Sequence, residues 1–443
     1  MSEQYELVVG AASALLDGAF GPAFVGVTGG RIAAVSQSAL EGRDLVMLSD
    51  DEVLIPGLVD SHVHINEPGR TEWEGFASAT RAAAAGGVTT VIDMPLNSIP
   101  ATVTPAALDA KRAAAAPQAS VDVGFWGGAI PSSLGHLREL HERGVFGFKC
   151  FLAPSGVDEF PHLDTAQLNQ ALDEVASFGG LLIVHAEDPG VLEAHVEHAG
   201  GDYHRFVRSR PPEAEITAIQ NVIDGVRRSG ARAHILHLSS AAALPALTQA
   251  KAEGLPISVE TCPHYLTITE EQVPDGATQF KCCPPIRDET NRELLWEALL
   301  DGTIDIVVTD HSPSTAELKF AHGGDFELAW GGIAGLQTGL AAVWTEASRR
   351  GVPLQSVLQW MSRGPADLIG LASKGRIAPG ADADLVAFAP QDAFTVDAQQ
   401  LLQKKTVSAF DGRELHGVAR RIWLAGTPLS PGADPRGRLL QRP

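Results

Sequence analysis

The feature that most constrains the fold is a series of eight short apolar segments, separated by stretches of helical character, in the middle of the chain. The segments lie at 53–59, 88–94, 120–126, 145–151, 180–185, 233–238, 256–261 and 304–309. Strands that alternate with helices in this way run parallel, because each helix carries the chain back across the sheet. Eight such units predict an α/β fold built on a (β/α)8 barrel.

The segment after the first predicted strand shows how these units are delimited. Thr71 and Glu74 have the spacing of a capping box, which predicts the start of a helix. An alanine-rich stretch follows, and Gly86 and Gly87 predict the end of that helix just before the second strand.

The length of the chain predicts a second structural unit. With 443 residues it exceeds the about 250 residues of a typical barrel. Both ends contain short strand-like segments with glycine turns, so we expect residues 53–374 to form the barrel and residues 1–52 with 375–443 to form a small β domain. The tail after Gly426 is rich in proline, glycine and arginine, which predicts a loosely ordered or partner-docking arm.

Two histidines at the end of the first apolar segment are the first candidates for a metal site. Side chains at positions i and i+2 of a strand point to the same face, so His62 and His64 can bind one ion together. On its own this spacing is equally typical of two surface or capping histidines.

Four further residues of suitable chemistry end their own apolar segments, and they are Lys149, His185, His237 and Asp310. Each has an ordinary alternative: a lysine that reaches the barrel rim, a hydrogen-bonded core histidine, or a turn aspartate. Structural accidents would not place all of them at the same end of successive strands. Since catalytic residues of a (β/α)8 barrel come from the carboxyl ends of several strands, the set predicts an active site with bound metal.

Charge and cysteine content limit the partners and the compartment. A formal charge of −21 argues against nucleic acid and against an anionic membrane, which both require a basic face. We find no signal-peptide pattern and no apolar run of the ~18 residues that a membrane span needs, so a cytoplasmic location is expected. The four cysteines, with Cys282 and Cys283 adjacent, have neither a disulfide framework nor zinc-finger spacing.

Several motifs together resemble the cyclic amidohydrolases of the amidohydrolase superfamily. They are Pro56-Gly57-Leu58-Val59-Asp60 followed by His62 and His64, then Gly147-Phe148-Lys149, His185, His237-Leu238-Ser239 and Asp310-His311-Ser312-Pro313. Further segments, at 67–70, 73–76, 94–97, 282–287 and 329–337, are most similar to the allantoinases within that superfamily. The resemblance covers nearly the whole chain.

The resemblance implies two divalent metal ions in the barrel, a flanking domain of β-sandwich type and a homotetramer. The implied ligands are His62, His64, Lys149, His185, His237 and Asp310. The first two histidines and Asp310 would bind the more buried metal, and the later two histidines the more exposed one. Lys149 would bridge them as an N6-carboxylated lysine, since burial lowers the pKa of an amine and a neutral amine can add carbon dioxide. Zinc is the first candidate, with cobalt, manganese, iron or nickel as alternatives.

The resemblance also implies a catalytic role for Asp310, which would take the proton of the attacking water and deliver it to the departing ring nitrogen. The expected substrate is allantoin, opened to allantoate, with Asn97, Cys283 and Ser314 as substrate contacts. Dihydroorotases of similar pattern have an arginine where this chain has Asn66. Hydantoinase and dihydropyrimidinase relatives have a tyrosine a few residues after the bridging lysine, and this chain has none there. These enzymes, and a catalytically silent scaffold, are the alternatives.

Overall fold

The computed structural model describes residues 4–430 and 432–443. Its strands are β1 (Tyr5–Leu16), β2 (Ala19–Thr28), β3 (Arg31–Ser36), β4 (Gly42–Met47), β5 (Val53–Pro56), β6 (Leu58–Val63), β7 (Val88–Asp93), β8 (Asp122–Phe125), β9 (Gly127–Gly128), β10 (Phe148–Phe151), β11 (Leu181–His185), β12 (Arg232–Ile235), β13 (Ile257–Thr261), β14 (Ile306–Val307), β15 (Leu385–Thr395), β16 (Glu414–Leu424) and β17 (Thr427–Leu429). Its α-helices are α1 (Phe76–Ala85), α2 (Pro105–Ala115), α3 (Leu137–Glu142), α4 (Thr165–Ala176), α5 (Pro189–Ala194), α6 (Tyr203–Arg208), α7 (Pro212–Ser229), α8 (Leu244–Ala252), α9 (Pro263–Thr267), α10 (Glu289–Asp301), α11 (Ala316–Phe320), α12 (Gly339–Arg349), α13 (Leu354–Leu358) and α14 (Gly364–Leu368).

The parallel strands form a closed barrel. Strands β6 to β8 pair in one parallel sheet and β9 to β14 in a second. Backbone hydrogen bonds join the two sheets on both sides, from the Phe146 N–H to the Phe125 carbonyl at 3.0 Å and from the His64 N–H to the His311 carbonyl at 2.8 Å. Since β8 and β9 are two parts of one strand position, the barrel has eight positions, and the predicted (β/α)8 barrel is confirmed.

The first predicted strand, 53–59, is divided at Gly57 between two sheets. Strand β5 pairs antiparallel with β15, whereas β6 pairs parallel with β7. A β-carbon at Gly57 would lie 2.1 Å from the hydroxyl oxygen of Thr89. Glycine therefore permits the close approach at which the chain passes from one sheet to the other.

The two ends of the chain share a sheet of eight strands. Its order is β17-β16-β15-β5-β1-β2-β3, and β4 pairs parallel with β1. This sheet has a buried apolar cluster of its own, which includes Val9, Val25, Leu385 and Trp423. The expectation of a small β unit built from both termini is confirmed, whereas its division from the barrel at 52/53 and 374/375 stays a prediction.

Helix α1 begins later than its sequence predicts. Thr71 lies in a turn and Glu74 in an irregular segment before the helix, so the predicted capping box is wrong. The N–H of Phe76 instead donates to the carboxylate of Glu67 at 2.8 Å. A long-range acceptor replaces the local one, which sequence spacing cannot reveal. The helix ends at Gly86 as predicted.

The C-terminal tail packs on the barrel. The Gly437 N–H donates to the Ala119 carbonyl at 2.8 Å, the Val123 N–H to the Arg438 carbonyl at 2.9 Å, and the Leu440 N–H to the Val123 carbonyl at 2.7 Å. The tail thus pairs with β8 through backbone hydrogen bonds at both the N–H and the carbonyl of Val123. The expectation of a loosely ordered arm is wrong for residues 437–442, which dock on their own chain.

None of the helices in the described part of the chain combines the length and the apolar character that a membrane crossing requires.

Candidate metal centre

Six side chains of metal-binding chemistry meet at one end of the barrel. They lie in, or shortly after, strands β6, β10, β11, β12 and β14, and they are His62, His64, Lys149, His185, His237 and Asp310. Because all barrel strands are parallel, their carboxyl ends open on the same side. Each of the six has at most 8 % of its surface exposed. The structure therefore brings together the complete set of candidate ligands.

Lys149 and Asp310 both approach the first two histidines. The Lys149 Nζ lies 3.3 Å from His62 Nε2 and 3.4 Å from His64 Nε2. The Asp310 Oδ1 lies 3.1 Å and 3.5 Å from the same two nitrogens. These four groups are close enough to contribute to one ion site.

The other two histidines face each other across a neighbouring space. His185 Nδ1 lies 3.0 Å from His237 Nε2. His237 also forms a group with His62 and Asp310 in which the ligand atoms all lie within 4.8 Å of one another. The two sets of ligands are therefore contiguous.

Two buried carboxylates orient these rings, and the sequence analysis missed both. Glu260 Oε1 lies 2.5 Å from His62 Nδ1, and Glu187 Oε2 lies 2.8 Å from His185 Nε2. A carboxylate that accepts the proton of one ring nitrogen leaves the lone pair of the other nitrogen free for a metal. The available signal was a charged residue inside an apolar strand, which is the position of Glu260 in β13.

Burial disfavours the charged form of most of these ligands. It lowers the pKa of Lys149 to about 8, despite the nearby carboxylates. It also lowers the pKa of His185, and it lowers that of His64 and His237 well below the usual histidine value. Neutral imidazoles are the form in which histidine binds metals.

His62 is the exception, because it stands between two carboxylates. Burial alone would lower its pKa, but Asp310 and Glu260 raise it. The two carboxylates thus favour a positive charge on the ring, which a metal ion on Nε2 can supply in place of a proton. Converging imidazole nitrogens and a carboxylate are a donor set that suits zinc and its neighbours among the transition metals. The residues therefore fit the metal ions that the resemblance implies.

Asp310 is held as an ionised carboxylate. Burial alone would raise its pKa, but the imidazole of His62, through its charge and its hydrogen bond, holds it well below the usual value. The hydroxyl of Ser312 donates to Asp310 Oδ1 at 2.8 Å. Asp310 can therefore accept a proton at neutral pH, and Ser312, to which the sequence motif assigns no role of its own, fixes its direction.

The backbone is strained at four positions around the cluster. Asn66, Asn97, His237 and Asp310 have φ angles of 66°, 63°, 34° and 45°. Residues other than glycine rarely adopt this left-handed region, and such outliers collect at functional sites. At His237 and Asp310 the sharp turn comes directly after a strand.

A pocket of about 420 Å³ opens onto the cluster. Asn97 and Cys283, two of the three predicted substrate contacts, line it, and so does Ser312. The third, Ser314, does not line the pocket: it is 2 % exposed, and its hydroxyl has no hydrogen-bond partner among the described residues. The structure thus places two of the three predicted contacts at the pocket.

Two buried lysines hold one wall of this pocket. The Lys281 Nζ donates to the carbonyls of Glu327 and Ala329 at 3.0 and 2.6 Å. The Lys319 Nζ donates to the carbonyl of Gly332 at 2.5 Å. The wall segment 327–332 is therefore fixed through its backbone, independently of its side chains.

Known proteins share both the sequence and the fold. The chain is 56 % identical to the allantoinase of Streptomyces avermitilis, over 95 % of each chain. It is 43 % identical to a probable allantoinase of Oryza sativa subsp. japonica, over 92 % of this chain and 85 % of that one. Among solved structures it resembles the L-hydantoinase (dihydropyrimidinase) from Arthrobacter aurescens, with a TM-score of 0.91 and 29 % identity over 99 % and 98 % of the two chains.

A model of the amidohydrolase family matches residues 53–420, which include all six candidate ligands. This chain belongs to the amidohydrolase family.

Proposed function

We propose that this protein hydrolyses the cyclic amide bond of allantoin and releases allantoate. The observation that carries the proposal is the cluster of four imidazoles, Lys149 and Asp310 at a pocket large enough for a small ring compound. The allantoinases to which the chain is similar support the choice of substrate. A silent scaffold would have no need to retain the full set of ligands in this geometry.

Two divalent metal ions, with zinc as the first candidate, complete the proposed site. His62, His64 and Asp310 would hold one ion, and His185 and His237 the other. When bound, the metals would polarise the ring carbonyl and make water a nucleophile at neutral pH. Lys149 is proposed to be carboxylated, because its lowered pKa of about 8 makes the neutral amine accessible and a carbamate offers two oxygens to two ions.

Asp310 is the proposed proton carrier. Its ionised carboxylate would accept the proton of the attacking water and return it to the ring nitrogen as the amide bond breaks. Ser312 would keep the carboxylate aimed into the pocket through its hydrogen bond at 2.8 Å. No serine or cysteine nucleophile is needed for this reaction.

The environment of Asn66 supports a neutral substrate over dihydroorotate. The Asn66 side chain is 1 % exposed, and its amide lies 3.4 Å from the carbonyl of Pro313. Its left-handed backbone conformation suits asparagine. The position thus provides no cation that could bind a substrate carboxylate.

The tyrosines of the chain do not support an enzyme of hydantoinase type. The hydroxyl of Tyr203 donates to the Ile286 carbonyl and that of Tyr265 to the Pro284 carbonyl. Within the described residues, no tyrosine lines the pocket. A phenolic hydroxyl is therefore not available to assist the reacting carbonyl.

A substrate panel tests the proposal. Metal-loaded enzyme is assayed with allantoin, dihydroorotate, dihydrouracil and 5-substituted hydantoins, and Asp310→Asn is the matched inactive control. We expect the highest kcat/KM with allantoin, a poor rate with dihydroorotate, and a loss of about 10²- to 10⁴-fold or more in the variant. A preference for dihydroorotate, or near-normal turnover by metal-loaded Asp310→Asn, would contradict the assignment.

The assembly and the location also stay proposals. We propose a homotetramer, supported by the exposed apolar residues Leu45 and Met47 on strand β4, which are 59 % and 53 % exposed. Light scattering of the purified protein measures its mass directly. We propose a cytoplasmic location, which agrees with four cysteines that are all free thiols.

A further inference from the structure

Arg210 is a charged residue of the pocket wall that the proposed chemistry does not use. Its side chain is 21 % exposed, and it lines the same pocket as the ligand cluster. Its Nε and Nη2 bind Glu187 Oε1 and Oε2 at 3.0 and 2.5 Å, and Glu187 in turn accepts from His185 at 2.8 Å. Arg210 is thus fixed in one orientation through the residue that orients a candidate metal ligand.

One nitrogen of this guanidinium remains available. Nη1 makes no hydrogen bond to the residues that the structure describes, whereas Nε and Nη2 are both occupied. Arginine offers its donors in a rigid planar fork, so binding Glu187 with one edge fixes where Nη1 points. Lys281, the other cation of this wall outside the ligand cluster, donates two of its protons to backbone carbonyls.

We propose that Arg210 binds the ureido arm of allantoin by donating a hydrogen bond from Nη1 to the ureido carbonyl oxygen, an inference that rests on the proposed function. The carbonyl under attack must lie at the ligand cluster. Glu187 separates the Arg210 guanidinium from His185, so Arg210 lies further along the wall. The part of the substrate that reaches it is the substituent on the ring and not the ring itself.

The pairing with Glu187 also determines which kind of substrate arm the site can bind. The buried carboxylate balances the charge of the guanidinium, so the pair as a whole is neutral. A neutral acceptor such as a urea carbonyl can be bound without leaving a buried charge uncompensated. A carboxylate arm would bring a second anion next to Glu187, and the other cation of this wall, Lys281, already donates to two backbone carbonyls.

The experiment compares allantoin with hydantoin, which has the same ring without the arm. In Arg210→Lys an ammonium can pair with Glu187 but cannot at the same time reach the arm. We expect the KM for allantoin to rise about 10- to 100-fold, as for the loss of a hydrogen bond to a charged group. The KM of hydantoin, or its Ki as a competitive inhibitor, should change less than about threefold, with the metal content per subunit unchanged.

Two further variants keep the test decisive. Glu187→Gln is the companion variant: because Glu187 holds both the Arg210 guanidinium and His185, its loss should slow both compounds, and allantoin more than hydantoin. Arg210→Gln replaces Arg210→Lys if that protein does not fold, since its amide can still donate to Glu187.

Equal losses for both compounds, or a loss of bound metal that accounts for the loss of activity, would show that Arg210 acts only through Glu187 and would overturn the inference. If the wild-type enzyme does not open allantoin, the proposed function fails as well. If it does, and the variants treat both compounds alike, only the role of Arg210 is refuted.

Discussion

Lys149 has the least ordinary surroundings of any candidate ligand. It is 1 % exposed, and its Nζ lies between the Nε2 atoms of His62 and His64. Within the described residues it forms no ion pair, although a buried ammonium normally requires one. The sequence shows that Lys149 lies in an apolar strand, but only the structure shows that imidazoles surround it. An anionic carbamate suits this position better than a cation does.

The proposed carbamate leads to a direct prediction for Lys149→Ala. We expect a folded protein that has lost at least one metal per subunit and its activity, because the anion proposed to lie between the metals is gone. High concentrations of acetate should restore part of both, since acetate presents two oxygens in the same way. Metal analysis and kcat measure the effect.

The wild-type protein should carry an added mass of carbon dioxide when it is examined without acid. A fully active Lys149→Ala protein with two bound metals would refute the bridge.

Lys319 is a second buried lysine, but its role is structural. Burial lowers its pKa to about 7, and its ammonium donates to the carbonyl of Gly332 in the pocket wall. In the unfolded chain a lysine has its ordinary pKa near 10.4. Between pH 7 and pH 10 the unfolded state therefore binds more protons at this position than the folded state does.

The stability of the protein should accordingly rise with pH in this window. Lys319 changes the free energy of unfolding by at most about 1.4 kcal/mol per pH unit. The destabilisation that comes from burying its ammonium is fully present below pH 7 and is relieved toward pH 10. Lys319→Met removes this contribution. Urea unfolding at pH 7, 8 and 9 should show a smaller rise for the variant than for the wild type, and parallel curves would disprove the assignment.

At the level of secondary structure, the sequence predicts where the barrel strands end. It does not predict where the chain passes from one sheet to another or where helix α1 begins. Apolar segments that end in a histidine, a lysine or an aspartate give the position of the site, since the parallel barrel brings those ends together. The division of strand 53–59 at Gly57 depends on contact with Thr89, and the start of α1 depends on Glu67. Both are long-range contacts, which local sequence spacing does not encode.

The site could be predicted only in part for the same reason. The six ligands follow from strand ends, whereas Glu187, Glu260 and Ser312 act through contacts with those ligands. The resemblance implies Ser314 as a substrate contact, but its side chain is buried and does not line the pocket. A motif shared with a family therefore does not by itself show which of its side chains face the substrate.

The tail illustrates the same limit and offers a test. Its composition predicted a loose arm, yet a β-carbon at Gly437 would lie 1.9 Å from the carbonyl oxygen of Val121. Gly437→Ala should therefore displace the tail from β8 and cost about 1–3 kcal/mol of stability. Gly21→Ala is the matched control, because a β-carbon there meets nothing within 4 Å. Equal unfolding midpoints in urea for the two variants would mean that the tail does not contribute to stability.

On the scale of the whole molecule, one buried cluster joins the barrel, the terminal sheet and the tail. The Lys374 Nζ lies 2.6 Å from Asp122 of β8, 3.1 Å from Asp382 and 2.6 Å from Asp384. Arg438 of the tail binds Asp122 at 2.8 Å and Asp382 at 3.0 Å. The three carboxylates are close enough to suggest a cation site, and the Lys374 ammonium is the cation they hold.

The charges of this cluster are far apart in the sequence, so their association could not be predicted. Burial alone would lower the pKa of Lys374, but Asp384, Asp122 and Asp382 raise it. Burial raises the pKa of Asp384 in spite of that ammonium. The carboxylates therefore depend on Lys374 to remain ionised while they are buried, and the two structural units are stabilised together.

Removing this cation should destabilise the molecule far more than removing a surface charge. Lys374→Met keeps the length of the side chain but leaves three buried carboxylates without the ammonium, and we expect a loss of about 3–5 kcal/mol. Arg228→Met is the matched control, since Arg228 and Asp173 form an exposed pair at 2.8 Å whose loss should cost less than about 1 kcal/mol. Equilibrium unfolding in urea measures both.

Because the cluster lies apart from the ligands, Lys374→Met protein that remains folded should keep its full metal content. A second substitution, Asp384→Asn in the Lys374→Met background, should recover part of the stability by removing one uncompensated charge. A loss no greater than that of Arg228→Met would show that the cluster does not hold the two units together.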